Sequence, residues 1–167
     1  ELYDTTHESA AAIRALRHTP GGAFGSCRFK LKGYEASREQ YERLIAVFRA
    51  HDIRWFLYNG GNDSADTAHI IAEMAKEANY DFCTVHIPKT IDNDVVPIRQ
   101  TLGAVTAAEQ GAIFWENSVN EQSTNPRMLL IHEVMGRHCG WLTAATAETY
   151  RKRLKKQKFL SAFGLPM

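Results

Sequence analysis

No apolar run in these 167 residues approaches the roughly 20 needed to cross a bilayer as a helix, and no leader pattern stands at the first residues. A membrane is therefore not among the expected partners, and the cytoplasm is the expected location. Cysteine is scarce: Cys27, Cys83 and Cys139 are odd in number, scattered, and never in C-x-x-C spacing. That pattern gives reduced thiols rather than a disulfide framework or a zinc site. Acidic residues are absent after Tyr150, where six of the 20 Lys and Arg residues stand in "RKRLKKQK" (151–158). Residues 1–150 thus carry 14 basic against 19 acidic groups, a net −5 hidden beneath the overall +1. The basic run reads as a solvated helix end, favoured there by the helix macrodipole, and not as a nucleic-acid surface.

What is present is an ordinary globular composition, 44% hydrophobic and 23% charged, long enough for one domain with a sizeable core. Helical and extended patterns alternate. "THESAAAIRAL" reads as a short helix with Thr6 at its N-cap, ended near "TPGG". "SREQYERLIAVFRAHD" is a helix in which Ser37 and Gln40 have capping-box spacing, while Tyr41, Leu44, Ile45 and Phe48 form one apolar stripe. "IRWFLYNGGNDS" is a strand entering a glycine loop, with the helix "SADTAHIIAEMAKEA" behind it. "DFCTVHIP" is a second strand, followed by a polar loop and a helix over roughly residues 100–117. "RMLLIHEVMGRHCG" repeats the scheme as a third strand and loop, and "WLTAATAETYRKRL" returns to helix. Three apolar strands, each followed by a helix, predict an α/β fold with a mainly parallel sheet and helices on both faces. In such folds ligands sit outside the carboxyl ends of the strands, so "NGGNDS", "PKTIDND" and "MGRHCG" are expected to converge on one edge.

Each loop has a chemical and a structural reading. In "NGGNDS", Gly60 and Gly61 allow close backbone approach, and Asn62, Asp63 or Ser64 caps a helix whose N-terminus favours an anion. In "PKTIDND", two carboxylates suit transfer of a phosphoryl group to an alcohol, one taking the hydroxyl proton and one holding a magnesium ion. Lys89 and Thr90 there suit a phosphate. The structural alternative has Asp92, Asn93 and Asp94 forming Asx turns that cap the next helix. Arg28, in "GGAFGSCRF", matches phosphate oxygens in a bidentate fork or else makes a surface ion pair. In "MGRHCG", Arg137 suits a sugar phosphate, whereas His138 and Cys139 lack a partner at ligand spacing and read as packing.

Taken in order, "GGAFGSCRF", "GGNDS", "PKTIDND" and "EVMGRHCGW" resemble the phosphofructokinase family over roughly residues 1–150. The resemblance implies a Rossmann-like, phosphofructokinase-type fold. Residues 1–150 would then be part of the phosphate-donor-binding domain, and residues 151–167 a basic helix end and tail. It implies that Asp92 deprotonates the 1-hydroxyl of fructose 6-phosphate and that Arg28 stabilises the transferring phosphoryl group. Thr90 and Asp94 resemble substrate and magnesium contacts, and Met135, Gly136 and Arg137 the sugar-phosphate segment. Gly61, Asn62, Asp63, Ser64 and Lys89 fall on the donor side, with Asp63 and Asp94 as the metal carboxylates. Arg127, one residue further from "MGR" than the family pattern has it, resembles an arginine lent to a neighbouring subunit, which implies a homo-oligomer.

The donor is implied as well. ATP-using members carry glycine where Lys89 stands and "GGDGS" where this chain has "GGNDS". Both changes resemble the diphosphate-dependent branch. Asp63 crowds and repels a nucleotide's α-phosphate, and Lys89 adds a positive charge for inorganic diphosphate. Asn62 departs from the family's aspartate and cannot supply its charge to magnesium. The family's N-terminal phosphate loop and C-terminal sugar-binding half have no counterpart here, so the segment alone is expected to be inactive. The alternatives are an ATP-dependent 6-phosphofructokinase and a non-catalytic regulatory subunit of the same fold.

Overall fold

The computed structural model describes residues 3–19, 21–125 and 127–156. The chain forms two compact units, the first ending at Leu31 and the second beginning at Lys32. In the first unit a single helical turn, Thr5–His7, is capped by Asp4, whose carboxylate accepts from the Thr6 N–H at 2.9 Å. Helix α1, Ala10–Ala15, follows with Ser9 as N-cap, its hydroxyl accepting from the Ala12 N–H at 3.1 Å. The expected Thr6 cap is thus replaced by two caps, Asp4 and Ser9, which divide the segment. Among the described residues the glycine-rich stretch up to Leu31 forms no strand, and Arg28 lies exposed in it.

In the second unit, helix α2 spans Arg38–Ala50 and buries Tyr41, Ile45 and Phe48, three of the four stripe residues. The capping box does not form. The Ser37 hydroxyl instead accepts from the Lys32 N–H at 3.2 Å, and the Tyr41 hydroxyl donates to the Lys32 carbonyl at 3.1 Å. Strand β1, Trp55–Gly60, leads into helix α3, Asn62–Glu77, which returns the chain to strand β2, Cys83–Pro88. The two strands pair in parallel, with Trp55 opposite Cys83 and Gly60 opposite Pro88.

The core lies between this sheet and helices α2 and α3. Phe48 of α2 packs on Phe56 and Phe82 with ring centres 5.2 and 5.1 Å away, and Tyr80 stacks on Phe82. Ile71 of α3 is 1% exposed, and burying such a side chain contributes about 1.5–3 kcal/mol. The Tyr80 hydroxyl lies 3.0 Å from the Phe48 carbonyl and 2.6 Å from that of Ile53, so the ring's polar end is satisfied inside the cluster. Arg49 and Arg54 place their guanidinium groups over the same ring.

Helix α4 spans Ala104–Gln122 and α5 spans Trp141–Lys156. They pack on each other, with Ala104, Ala108 and Ala112 buried on α4 and Leu142 and Thr146 buried on α5. Gly111 allows the close approach, since a Cβ there would stand 3.0 Å from the Thr146 hydroxyl oxygen. Helix α4 begins later than the expected residue 100 because residues 95–103 complete the preceding loop. Arg153, Lys155 and Lys156 lie in the last turn of α5, as the basic run predicts, and residues 157–158 of that run fall outside the described residues.

The third strand differs from expectation. Residues 128–136 join no ladder among the described residues, and Met128, Leu129, Ile131 and Met135 are exposed. An apolar extended segment becomes a strand only where a neighbour takes its N–H and C=O groups. The sheet face bearing Trp55, Leu57 and Val85 is likewise exposed, where a second helical layer is expected from the sequence. Among the described residues, no helix is long and apolar enough to cross a membrane.

Candidate active site

The carboxyl ends of β1 and β2 lie side by side, which places the glycine loop beside the "PKTIDND" loop. The Lys89 N–H donates to the Gly60 carbonyl at 2.8 Å, continuing the ladder past the strand ends. His86 Nε2 lies 3.0 Å from the same oxygen. A carbonyl only accepts, so Nε2 carries the ring proton. Gly61 is the N-cap of α3, in extended backbone, and its carbonyl accepts from the Ser64 and Ala65 N–H groups at 3.1 and 3.0 Å. Asn62, Asp63 and Ser64 therefore form the first turn of the helix rather than its cap. That turn presents backbone N–H groups toward the strand-end side, an arrangement suited to an anion. The site of a Gly61 Cβ lies 3.9 Å from both the Lys89 carbonyl oxygen and Thr90 Cβ, so the two loops are neighbours.

Gly60 is required by space. A Cβ there would stand 2.0 Å from Ser64 Oγ and 2.4 Å from Ser64 Cβ, and the latter cannot rotate away. Gly60→Ala is expected to destabilise the full-length protein by about 1–3 kcal/mol, the usual cost of overpacking. Adding Ser64→Gly should recover part of that loss. Denaturant unfolding of both singles and the double checks this, and additive losses would contradict the contact.

The second loop is tied by one polar cluster. Asn93 adopts φ 54°, a left-handed conformation that asparagine tolerates better than most residues. Its side-chain oxygen accepts from the Thr101 N–H at 2.8 Å and lies 3.1 Å from the Thr101 hydroxyl. Its amide nitrogen donates to the Arg99 carbonyl at 3.2 Å. The Thr101 hydroxyl, in a residue 1% exposed, is 2.6 Å from the Thr90 carbonyl oxygen. The Thr90 hydroxyl accepts from the Asp92 N–H at 3.2 Å. Beyond the cluster, Leu102 donates to the Pro88 carbonyl, and Gly103, at φ 90°, caps α4 with no side-chain bond.

Of the three side chains in "DND", only that of Asn93 is bonded among the described residues. Among the described residues, the half-buried carboxylates of Asp92 and Asp94 make no hydrogen bond or ion pair, and Lys89 is exposed with no ion pair. Asx capping of the next helix is excluded, since α4 starts ten residues beyond Asp94. The structure thus brings the N-terminus of α3, with Gly61, Asn62, Asp63 and Ser64, beside the loop that carries Lys89, Thr90, Asp92 and Asp94.

The remaining expected residues are placed less closely. Met135, Gly136 and Arg137 enter a turn closed by the Cys139 N–H on the Gly136 carbonyl at 2.8 Å, with Arg137 at φ 49°. A Cβ on Gly136 would stand 2.3 Å from the Cys139 carbonyl oxygen, so this turn requires glycine. No hydrogen bond among the described residues joins it to the 89–101 loop, and Val134 lies outside the sheet. Arg28 belongs to the first unit. Sequence reasoning missed His86 and Thr101. The only available signals were a polar residue within an apolar strand and a threonine just before a glycine-capped helix.

The architecture defines an α/β protein with a polar site at the carboxyl edge of a parallel sheet, and comparison with known proteins gives its family. The family model described as phosphofructokinase matches residues 2–150, and this chain belongs to that family. It is 52% identical over 148 residues to a pyrophosphate–fructose 6-phosphate 1-phosphotransferase of Xanthomonas campestris, covering 87% of this chain and 35% of that protein. It is 54% identical over 161 residues to the protein of the same name from Methylotuvimicrobium alcaliphilum, covering 90% and 39%. Among solved structures, the pyrophosphate-dependent phosphofructokinase of Marinobacter aquaeolei matches with a TM-score of 0.74 and 43% identity. That match covers 89% of this chain and 37% of the other. The chain spans little more than a third of the length of these relatives.

Proposed function

We propose that this chain is part of a diphosphate-dependent 6-phosphofructokinase that transfers a phosphoryl group reversibly from inorganic diphosphate to the 1-hydroxyl of fructose 6-phosphate. The observation that carries the reading is the pair Asp92 and Asp94, two half-buried carboxylates that the fold leaves unbonded among the described residues. They stand on a loop packed beside a helix N-terminus. The names of the relatives support the same reading for the parent protein.

In this reading Asp92 takes the proton from the sugar hydroxyl, and the fixed loop holds its carboxylate toward the acceptor. The first turn of α3 and Lys89 bind the diphosphate, and Thr90 and Asp94 orient the acceptor side. Met135, Gly136 and Arg137 bind the sugar phosphate. No group of three or more His, Cys, Asp or Glu able to hold a metal occurs among the described residues. Magnesium, which needs only one or two carboxylates from a protein, would be held here by Asp63 and Asp94. When bound, it supplies positive charge to the phosphate oxygens. In this reading the parent enzyme is a cytoplasmic homo-oligomer.

The test is a direct one on the full-length protein with magnesium. Diphosphate and fructose 6-phosphate should yield fructose 1,6-bisphosphate and phosphate by phosphorus NMR, and the products supplied alone should regenerate diphosphate. Absence of turnover in both directions would refute the assignment.

A further inference from the structure

We infer that Asn93 and Thr101 are positioning residues that set the reach of Asp92, acting as a clasp across the base of the loop between residues 90 and 101. This rests on the phosphotransfer reading of Asp92. The loop leaves β2 and returns to it: the Lys89 N–H bonds the Gly60 carbonyl at one end, and the Leu102 N–H bonds the Pro88 carbonyl at the other. Between these ends, besides the Asp92 N–H on the Thr90 hydroxyl and a backbone bond from Ile98 to Val95, the ties across the base of the loop run through the Asn93 and Thr101 side chains. Asn93 holds the Thr101 N–H and the Arg99 carbonyl, and the Thr101 hydroxyl reaches the Thr90 carbonyl.

The cluster is polar and its centre is buried. Thr101 is 1% exposed, and water cannot readily replace a bond lost there. The connection to the reacting group is short. Thr101 fixes the carbonyl of Thr90, whose hydroxyl accepts the Asp92 N–H, while Asn93 is bonded covalently to both Asp92 and Asp94. Neither Asn93 nor Thr101 is free to touch substrate with the atoms used in the clasp. Their effect is therefore on where the two carboxylates stand. A misplacement of about 1 Å in such a group can cost about a hundredfold in rate.

Three variants of the full-length protein separate positioning from folding. Thr101→Val keeps the shape and removes the hydroxyl. Thr101→Ser restores the hydroxyl. Asn93→Gly accepts the left-handed backbone and removes the bonds of the Asn93 side chain to Arg99 and Thr101, leaving the Thr101–Thr90 bond in place. At saturating diphosphate, Thr101→Val and Asn93→Gly should lower kcat by about tenfold to a hundredfold. KM for fructose 6-phosphate should stay within about twofold, because uniform binding is little affected. Thr101→Ser should keep kcat within about threefold of wild type. Amide hydrogen exchange should show faster exchange at residues 92–94 in Asn93→Gly, with protection of α3 unchanged. If Thr101→Val does not fold, Asn93→Gly carries the test alone. Wild-type kcat in a folded Asn93→Gly protein, or unchanged exchange at residues 92–94, would overturn the clasp. A wild type that transfers no phosphoryl group would instead refute the functional reading, while the exchange result would still report on the clasp.

Discussion

Replacing Asp92 by serine in the full-length protein is expected to lower kcat by about two to four orders of magnitude, the usual contribution of a general base. KM for fructose 6-phosphate should move much less, because a base acts chiefly in the transition state. The structure makes this a clean substitution. Among the described residues the Asp92 carboxylate has no hydrogen-bond partner, and the bond it does make runs from its backbone N–H to the Thr90 hydroxyl, which serine retains. The clasp through Asn93 and Thr101 is untouched, so thermal stability should stay close to wild type. Near-normal kcat in this variant would remove Asp92 from its role. A large fall in melting temperature would contradict the finding that the fold does not use its carboxylate.

The second large effect concerns the donor. Asp63→Gly together with Lys89→Gly should weaken use of diphosphate and open the site to ATP. Asp63 stands in the first turn of α3, and in the proposed reading its bulk and negative charge obstruct a nucleotide's α-phosphate. Lys89 is exposed at the end of β2, one ladder position from Gly60. Losing a charge-assisted contact from its ammonium to diphosphate costs about 1.5–3 kcal/mol, roughly one to two orders of magnitude in affinity. In the proposed reading the two positions share one ligand, so their effects need not add. Measuring kcat/KM for each donor in wild type, both singles and the double resolves the two contributions. A double mutant that keeps the full diphosphate preference would contradict this account of donor choice.

The parts of this structure that were legible in the sequence are those governed by short-range pattern. The apolar stripe Tyr41, Ile45 and Phe48 predicts both α2 and its buried face. The continuous apolar runs ending at Gly60 and Pro88 predict the parallel pair and the shared edge of their loops. What was missed depended on competition between partners. Ser37 had the spacing of a capping box, yet its hydroxyl turned to the Lys32 N–H. Asn62, Asp63 and Ser64 are all good caps, yet Gly61 took that place because the chain enters the helix directly from the ladder. In "DND" three equivalent-looking side chains divide by role, with Asn93 bonded to Thr101 eight residues on. No local pattern reveals that division. Residues 128–136 have the composition of a strand, but a strand also requires a neighbour, which composition does not encode.

Donor choice in the unmodified full-length protein tests the central claim most directly. With magnesium and saturating fructose 6-phosphate, kcat/KM should be measured for inorganic diphosphate and for ATP in the same preparation. The arrangement of Asp63, Lys89 and the Asp92–Asp94 loop predicts turnover with diphosphate, and a kcat/KM for it at least about a hundredfold above that for ATP, in keeping with the charge-assisted contact and the obstruction at Asp63. An enzyme that prefers ATP would contradict the donor assignment and leave the family intact, and one that turns over neither donor would contradict the site as a whole.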